Sequence, residues 1–245
     1  MINKINLPAS ASSILGGPKN NFNNFIALAK VKSNPLILEF IRESESALKA
    51  LSYTEHGLRH ATLVSDRGRN IAYEIGLDEK EVELAAIAGF CHDMGNFVGR
   101  TEHHYWGAML FSQIFHSDFS PKNLTKIMEA ISNHDKEGTM RFTNVISAIV
   151  VLADKSDVDR KRVIAKDISE IKKDIHDRVN YATRDAHLKV NKKLKKIILT
   201  LKIDTRFVEI IEYFEIFTKR MTYCRTAAQY LGYDFDLIIN NVALL

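Results

Sequence analysis

The stretch Phe90-Cys91-His92-Asp93-Met94-Gly95-Asn96 sets a histidine and an aspartate side by side at the end of an apolar run. Upstream, Asp78 with Glu81 three residues on reads as a helix start of the capping-box kind. The stripe Val82, Ala85, Ala86, Gly89 then keeps helical spacing and runs directly into His92 and Asp93. Both side chains therefore sit at the inward end of a core helix, roughly 100° apart around its axis. An imidazole and a carboxylate are costly there unless they pair or share a cation.

The same pattern recurs along the chain. Residues 35–51 read as an amphipathic helix, and residues 57–76 as a second, with His60 on the stripe of Leu63, Val64, Gly68, Ile71, Ala72 and Ile75. A further helix is expected over 103–116. The next starts after Ser120-Pro121, a cap followed by a first-turn proline, and carries Leu124, Ile127, Met128, Ile131 and His134. Another runs from Thr143 to Asp154, is apolar nearly all round, and should be central. A single histidine on such a face is ordinarily a hydrogen-bonded core residue. Here His60, His92-Asp93, His134 and Asp154 all interrupt one helical body, and imidazole and carboxylate are ligand types for Zn, Mn and Fe.

The chain has 245 residues, 46% hydrophobic and 26% charged, which suits one sizeable globular core. The longest apolar run, 148–153, is far too short to span a bilayer. The start, MINKINLPASASSILGG, lacks an apolar stretch of signal-peptide length, so a cytoplasmic protein is expected. Two distant cysteines, Cys91 and Cys224, indicate neither a zinc ribbon nor a disulfide framework, and Cys91 reads as core. The net charge of +4 suits anionic small molecules. No groove-reading motif accompanies the Lys-rich turn at 192–196, so neither a nucleic-acid nor a membrane partner is expected.

Residues 1–24, rich in Ser, Asn, Gly and Pro, read as a loose arm, and the mixed charges of 155–184 as solvated helix. Beyond them AHLKVNKKLKKIILTLKID reads as two strands around a turn, with Ile197, Leu199, Leu201 and Ile203 facing one way. A long helix over 205–232 and a last strand, DFDLIINN, complete a β-β-α-β piece. The expected fold is therefore mainly α with a small C-terminal α+β element, divided as 1–50, 51–185 and 186–245. Open strand edges would suit packing on the helical body or on a second copy, hence a homodimer.

The ordered set His60, His92-Asp93 and Asp154 resembles that of the HD-domain metal-dependent phosphohydrolases, and the flanking residues match as well. HATLV places Val64 four after the first histidine, and AGFCHDMG resembles the family's HD-x-G segment. HHYWGAML resembles the family's H-x-x-x-G-A-x-x-L helix and picks out His103, four residues before Gly107; AISNHD picks out His134; IVVLADKSD resembles the closing Ala-Asp segment. The resemblance covers residues 50–160 and implies a helical HD core. By it, His60, His92, Asp93 and Asp154 hold one metal, while His103 and His134 hold a second that Asp93 bridges. It resembles the dinuclear branch, with two divalent ions: iron first, then manganese, zinc, nickel or magnesium. The implied chemistry is cleavage of a nucleotide-like phosphoester by metal-activated water, with Asp93 and His92 catalytic.

One position departs from the pattern: many relatives carry Lys or Arg where this chain has Asn96. Asn96, with Arg100 and Lys155 supplying charge, is the expected substrate contact. His104 competes with His103, and His56 with His60, for a ligand's place. Asp174, His176 and Arg178 are candidates to close the pocket, and His116 reads as surface. Two other functions share these residues: a dinuclear-iron oxygenase, and a nucleotide-binding sensor without turnover.

Overall fold

The computed structural model describes residues 27–136 and 140–244. The Ser/Asn-rich arm expected at 1–24 lies outside them. A short α1 (Leu28–Lys32) leads into α2 (Pro35–Ala50), α3 (Leu58–Ile75), α4 (Glu79–Cys91), α5 (His103–Phe115), α6 (Pro121–Asn133) and α7 (Val145–Lys155). Helix α7 is the axis of the body. Every residue from Ile146 to Lys155 is buried, and α3, α4 and α6 all pack on it. Burying a Val, Leu or Ile side chain of this kind contributes roughly 1.5–3 kcal/mol.

Caps set the helix boundaries. Asn34 accepts from the amides of Leu36 and Ile37, and Ser120 from Asn123. Helix α7 starts at Val145 because Asn144 caps it. At α4 only half of the capping box forms: Asp78 accepts from the Glu81 amide, but the Glu81 carboxylate pairs with Lys126 instead. Helix α3 stops at Gly76, whose φ of 90° a side chain would resist.

The mixed-charge stretch after α7 is not one solvated helix. It breaks into a 3-10 turn (Arg160–Arg162), α8 (Ile168–Ile171) and α9 (Ile175–Ala182). Asp159, Asp167 and Asp174 each turn a carboxylate onto an amide two or three residues ahead, which starts a new short element each time. Arg162 within it is buried rather than solvated.

The C-terminal sheet has the order β1-β2-β3-β4. β1 (Thr183–Asn191), which starts earlier than its alternation suggests, pairs antiparallel with β2 (Lys196–Ile203). Helix α10 (Ile210–Tyr230) crosses over to β3 (Asp234–Ile239), which runs parallel to β2. DFDLIINN is not only a strand. Asn240 and Asn241, at φ 49° and 69°, make the two-residue turn to a short β4 (Val242–Ala243). Ile197, Leu199, Leu201 and Ile203 do face the core, and the apolar core is continuous from helical body to sheet. Helix α10 packs against α7, so the C-terminal element sits on the helical body. Among the described residues no helix is long and apolar enough to cross a membrane.

Candidate metal centre

Five helix ends meet at one place. His60 comes from the first turn of α3, His92 and Asp93 follow α4, His103 opens α5, His134 follows α6, and Asp154 lies in the last turn of α7. Three of these are C-terminal ends, whose exposed carbonyls favour positive charge. None of the six residues is more than 7% exposed.

Gly95 allows this convergence. A Cβ on Gly95 would overlap the His103 carbonyl oxygen and the Gly107 amide nitrogen. The segment after His92-Asp93 can therefore lie flat against the start of α5, which brings His103 to the cluster.

The backbone fixes the imidazoles. His92, His103 and His134 each point Nδ1 at the carbonyl three residues earlier: Gly89 at 2.8 Å, Arg100 at 2.8 Å and Ile131 at 2.7 Å. His60 Nδ1 meets Asp157 Oδ2 at 2.7 Å. A carbonyl or carboxylate only accepts, so in each ring Nδ1 carries the proton and Nε2 keeps a bare lone pair. Yet Nε2 of His60 lies 3.1 Å from that of His92, and Nε2 of His103 lies 3.0 Å from that of His134. Two lone pairs facing each other repel unless positive charge joins them.

Asp93 lies between the two pairs. Its Oδ2 is 3.2 Å from His92 Nε2 and 3.6 Å from His60 Nε2. Its Oδ1 is 3.2 Å from His103 Nε2 and 3.3 Å from His134 Nε2. Asp154 Oδ1 adds to the first pair, 3.3 Å from His60 Nε2. His60, His92 and Asp154 thus form one group that can hold a metal ion, and His92, Asp93 and His134 another. His103 stands beside the second. The imidazole and carboxylate donors suit Fe, Mn, Zn or Ni.

The electrostatics agree. Burial works against charge on Asp93, but the imidazoles of His92, His103 and His134 around it hold its carboxyl well below the usual range. Burial opposes charge on Asp154 too, and the Lys155 ammonium outweighs it. Burial pushes His134 down to about 4, so it stays neutral and able to coordinate.

The competing histidines fall elsewhere. His56 Nδ1 meets the Thr54 carbonyl at 2.6 Å, and Arg162 donates to its Nε2 at 2.8 Å, so neither nitrogen is left for a metal. His104 is buried behind His103, and among the described residues no carboxylate pairs with its ring nitrogens. His116 is exposed, and Cys91 is buried in the core. Arg178 pairs with Glu212, away from the cluster.

A cleft of 330 Å³ opens on Asp93, His134 and Asp154, rimmed by Arg100, Lys136, Lys155, Lys219 and Arg220. Lys155 is buried between Asp135 and Asp154, at 2.7 and 2.9 Å. Burial opposes its charge, but these two carboxylates outweigh it and raise its pKa. Arg100 reaches Asp135 at 3.2 Å and Asn96 at 3.1 Å, and Asn96 donates to Asp93 Oδ1 at 3.0 Å.

Several contributors were not singled out from the sequence. Asp135 was legible, because it makes a second His-Asp pair with His134. Asp157, three residues after Asp154, looked like one charge among many. Lys219 and Arg220 had no sequence signal, since only the packing of α10 on α7 brings them to the cleft.

Comparison with known proteins gives this cluster its family. The chain is 25% identical over 174 residues to an uncharacterized protein of Methanocaldococcus jannaschii, a match covering 62% of this chain. It spans 64% of that relative's length. The HD domain is matched over residues 57–182, just over half of the chain and inclusive of all six clustered residues. The chain belongs to the HD domain family.

Proposed function

We propose that this protein is a metal-dependent phosphohydrolase that cleaves a phosphoester of a nucleotide or a related small phosphorylated compound. The observation that carries this reading is the pair of opposed Nε2 contacts on either side of the Asp93 carboxylate, at the floor of a cation-rimmed cleft. Membership of a family of typical phosphohydrolases supports it.

In this reading His60, His92 and Asp154 would hold one divalent ion and His103 and His134 a second, with Asp93 serving both. Iron is the first candidate, manganese the next. Such ions lower the pKa of water to near neutrality and offset charge that builds on the phosphoryl oxygens.

The chain's own residues do the rest. Asp157 and the three carbonyls keep each Nδ1 protonated, so every Nε2 stays a donor of electrons. Lys155 has two of its three N–H groups on Asp135 and Asp154, which leaves one for a phosphate oxygen. Arg100, braced by Asn96 and Asp135, supplies the charge that Asn96 lacks. Helix α10 closes the other side of the cleft with Lys219 and Arg220. The products are an alcohol and either inorganic phosphate or a phosphomonoester.

The test is elemental analysis of the purified full chain, then a phosphoester panel with the metal it carries. Turnover that disappears in Asp93→Ala supports the reading. A metal-loaded chain that cleaves no phosphoester in a broad panel overturns it.

A further inference from the structure

Beside the metal cluster lies a second cavity of 240 Å³, lined by Leu51, Tyr53, Thr54, Asp174 and His176. It shares His56, Arg100 and Arg220 with the cation-rimmed cleft, so the two spaces adjoin along these residues. We propose that this second cavity receives the leaving group of the substrate, and that this leaving group carries a flat ring, either the base of a nucleoside or a simple aryl group. The assignment rests on the hydrolase reading for the other end of the ligand.

Flat side chains dominate the cavity. Tyr53 is 44% exposed in a wall that a folded chain would gain by burying. The Arg100 guanidinium carbon lies 5.6 Å from the centre of its ring. His56 has both nitrogens committed, to Thr54 and to Arg162, so only its ring face and edge remain for a ligand. With Nδ1 donating to the Thr54 carbonyl and Nε2 accepting from Arg162, the ring is neutral, as a flat apolar face requires. His176 and the second guanidinium, Arg220, complete the set. Rings and guanidinium planes of this kind recognise a flat partner by stacking.

Arg100 joins the two ends. Its amino groups turn to Asn96 and Asp135 on the cluster side, while the guanidinium lies over Tyr53 on the other. An ester whose phosphate sits at the cluster has its bridging oxygen near Arg100, His56 and Arg220, and its leaving group next to Tyr53. The Ser52 and Thr54 hydroxyls and the Asp174 carboxylate provide hydrogen bonds for the edge of that group. A small aliphatic leaving group would leave the rings unused.

The experiment compares the metal-loaded full chain with its Tyr53→Ala and Tyr53→Phe variants. The substrates are adenosine monophosphate, p-nitrophenyl phosphate and glycerol 3-phosphate, read as ratios of kcat/KM. Wild type should prefer the flat esters, and Tyr53→Ala should cut that preference about tenfold, mostly through KM. Tyr53→Phe should keep it, because the ring remains. The loss in Tyr53→Ala, taken ester by ester, cancels the intrinsic reactivity of each leaving group: a larger loss on the adenosine ester assigns a nucleobase, and a larger loss on the nitrophenyl ester assigns a simple aryl group. Equal handling of flat and aliphatic esters by wild type, or equal losses on all three in Tyr53→Ala, overturns the proposal. Adenosine itself decides the matter independently of turnover. Binding that shifts the His176 ring signals in NMR and weakens in Tyr53→Ala supports the subsite even if no ester is cleaved. No binding at millimolar adenosine together with no preference among the esters sinks it.

Discussion

Asn96 donates its side-chain amide to Asp93 Oδ1 at 3.0 Å and accepts from Arg100 at 3.1 Å with its carbonyl oxygen. These bonds belong to a chain that starts and ends on carboxylates of the cluster. It runs from Asp154 to Lys155, Asp135, Arg100, Asn96 and Asp93. Asn96 therefore orients the shared carboxylate and places the guanidinium at once. Asn96→Ala should lower kcat/KM about 10- to 100-fold, as the loss of an outer partner of a metal ligand does. Removing Arg100 should then cost less in the Asn96→Ala background than in wild type. Strictly additive losses in that double-mutant cycle would show that the two residues act apart.

The His60–Asp157 contact makes a second prediction. Burial opposes charge on Asp157, but the hydrogen bond to His60 and the Arg162 guanidinium hold its carboxyl well below the usual range. Asp157→Asn weakens the acceptor for His60 Nδ1 and takes a partner charge from buried Arg162. Metal affinity, measured by competition with a chelator, should fall about 10- to 100-fold. Unaltered affinity would reduce Asp157 to a partner of Arg59 and Arg162 alone.

Gly95 tests the packing that assembles the cluster. Any side chain there meets the backbone of His103 and Gly107, which has no freedom to yield without moving α5. Gly95→Ala should destabilise the chain by about 1–3 kcal/mol. It should also lose metal, because His103 moves with α5. Thermal melting and metal content measured on the same sample check both. A variant that melts and loads like wild type would show that the contact relaxes without cost.

The site was more legible in the sequence than its surroundings. His60, His92, Asp93, His134 and Asp154 stand out because each breaks an apolar stripe at helical spacing. The fold was legible for the same reason, as in α7, buried from Ile146 to Lys155. The stretch after α7 misleads because periodicity does not reveal Asp159, Asp167 and Asp174 capping one short element after another. Asn240-Asn241 was a readable turn signal that the strand pattern around it obscured. Arg220 lies 66 residues beyond Asp154 in the chain and meets it only through helix packing. No local pattern encodes such a contact.

His56 predicts a pH dependence. Burial, with Arg162 adding, lowers its pKa well below the ordinary 6.5 in the folded chain. The unfolded chain then takes up a proton that the folded chain does not. Its contribution to stability is complete above pH 6.5 and is lost as pH falls, by at most about 1.4 kcal/mol per pH unit. Urea denaturation of wild type and His56→Gln at pH 7, 6 and 5 isolates this, since the other histidines are common to both. The wild-type chain should lose more stability toward pH 5 than the variant does. A constant difference across the range would mean that His56 is not held neutral.

The central claim is that one carboxylate, Asp93, serves two metal ions held by two pairs of histidines. Elemental analysis of the full chain, dialysed against excess iron or manganese at neutral pH and then desalted, tests it directly. The account predicts two equivalents per chain for wild type, about one for His134→Ala, and none for Asp93→Ala. A folded wild-type chain that retains no metal would contradict it, as would an Asp93→Ala chain that retains two equivalents.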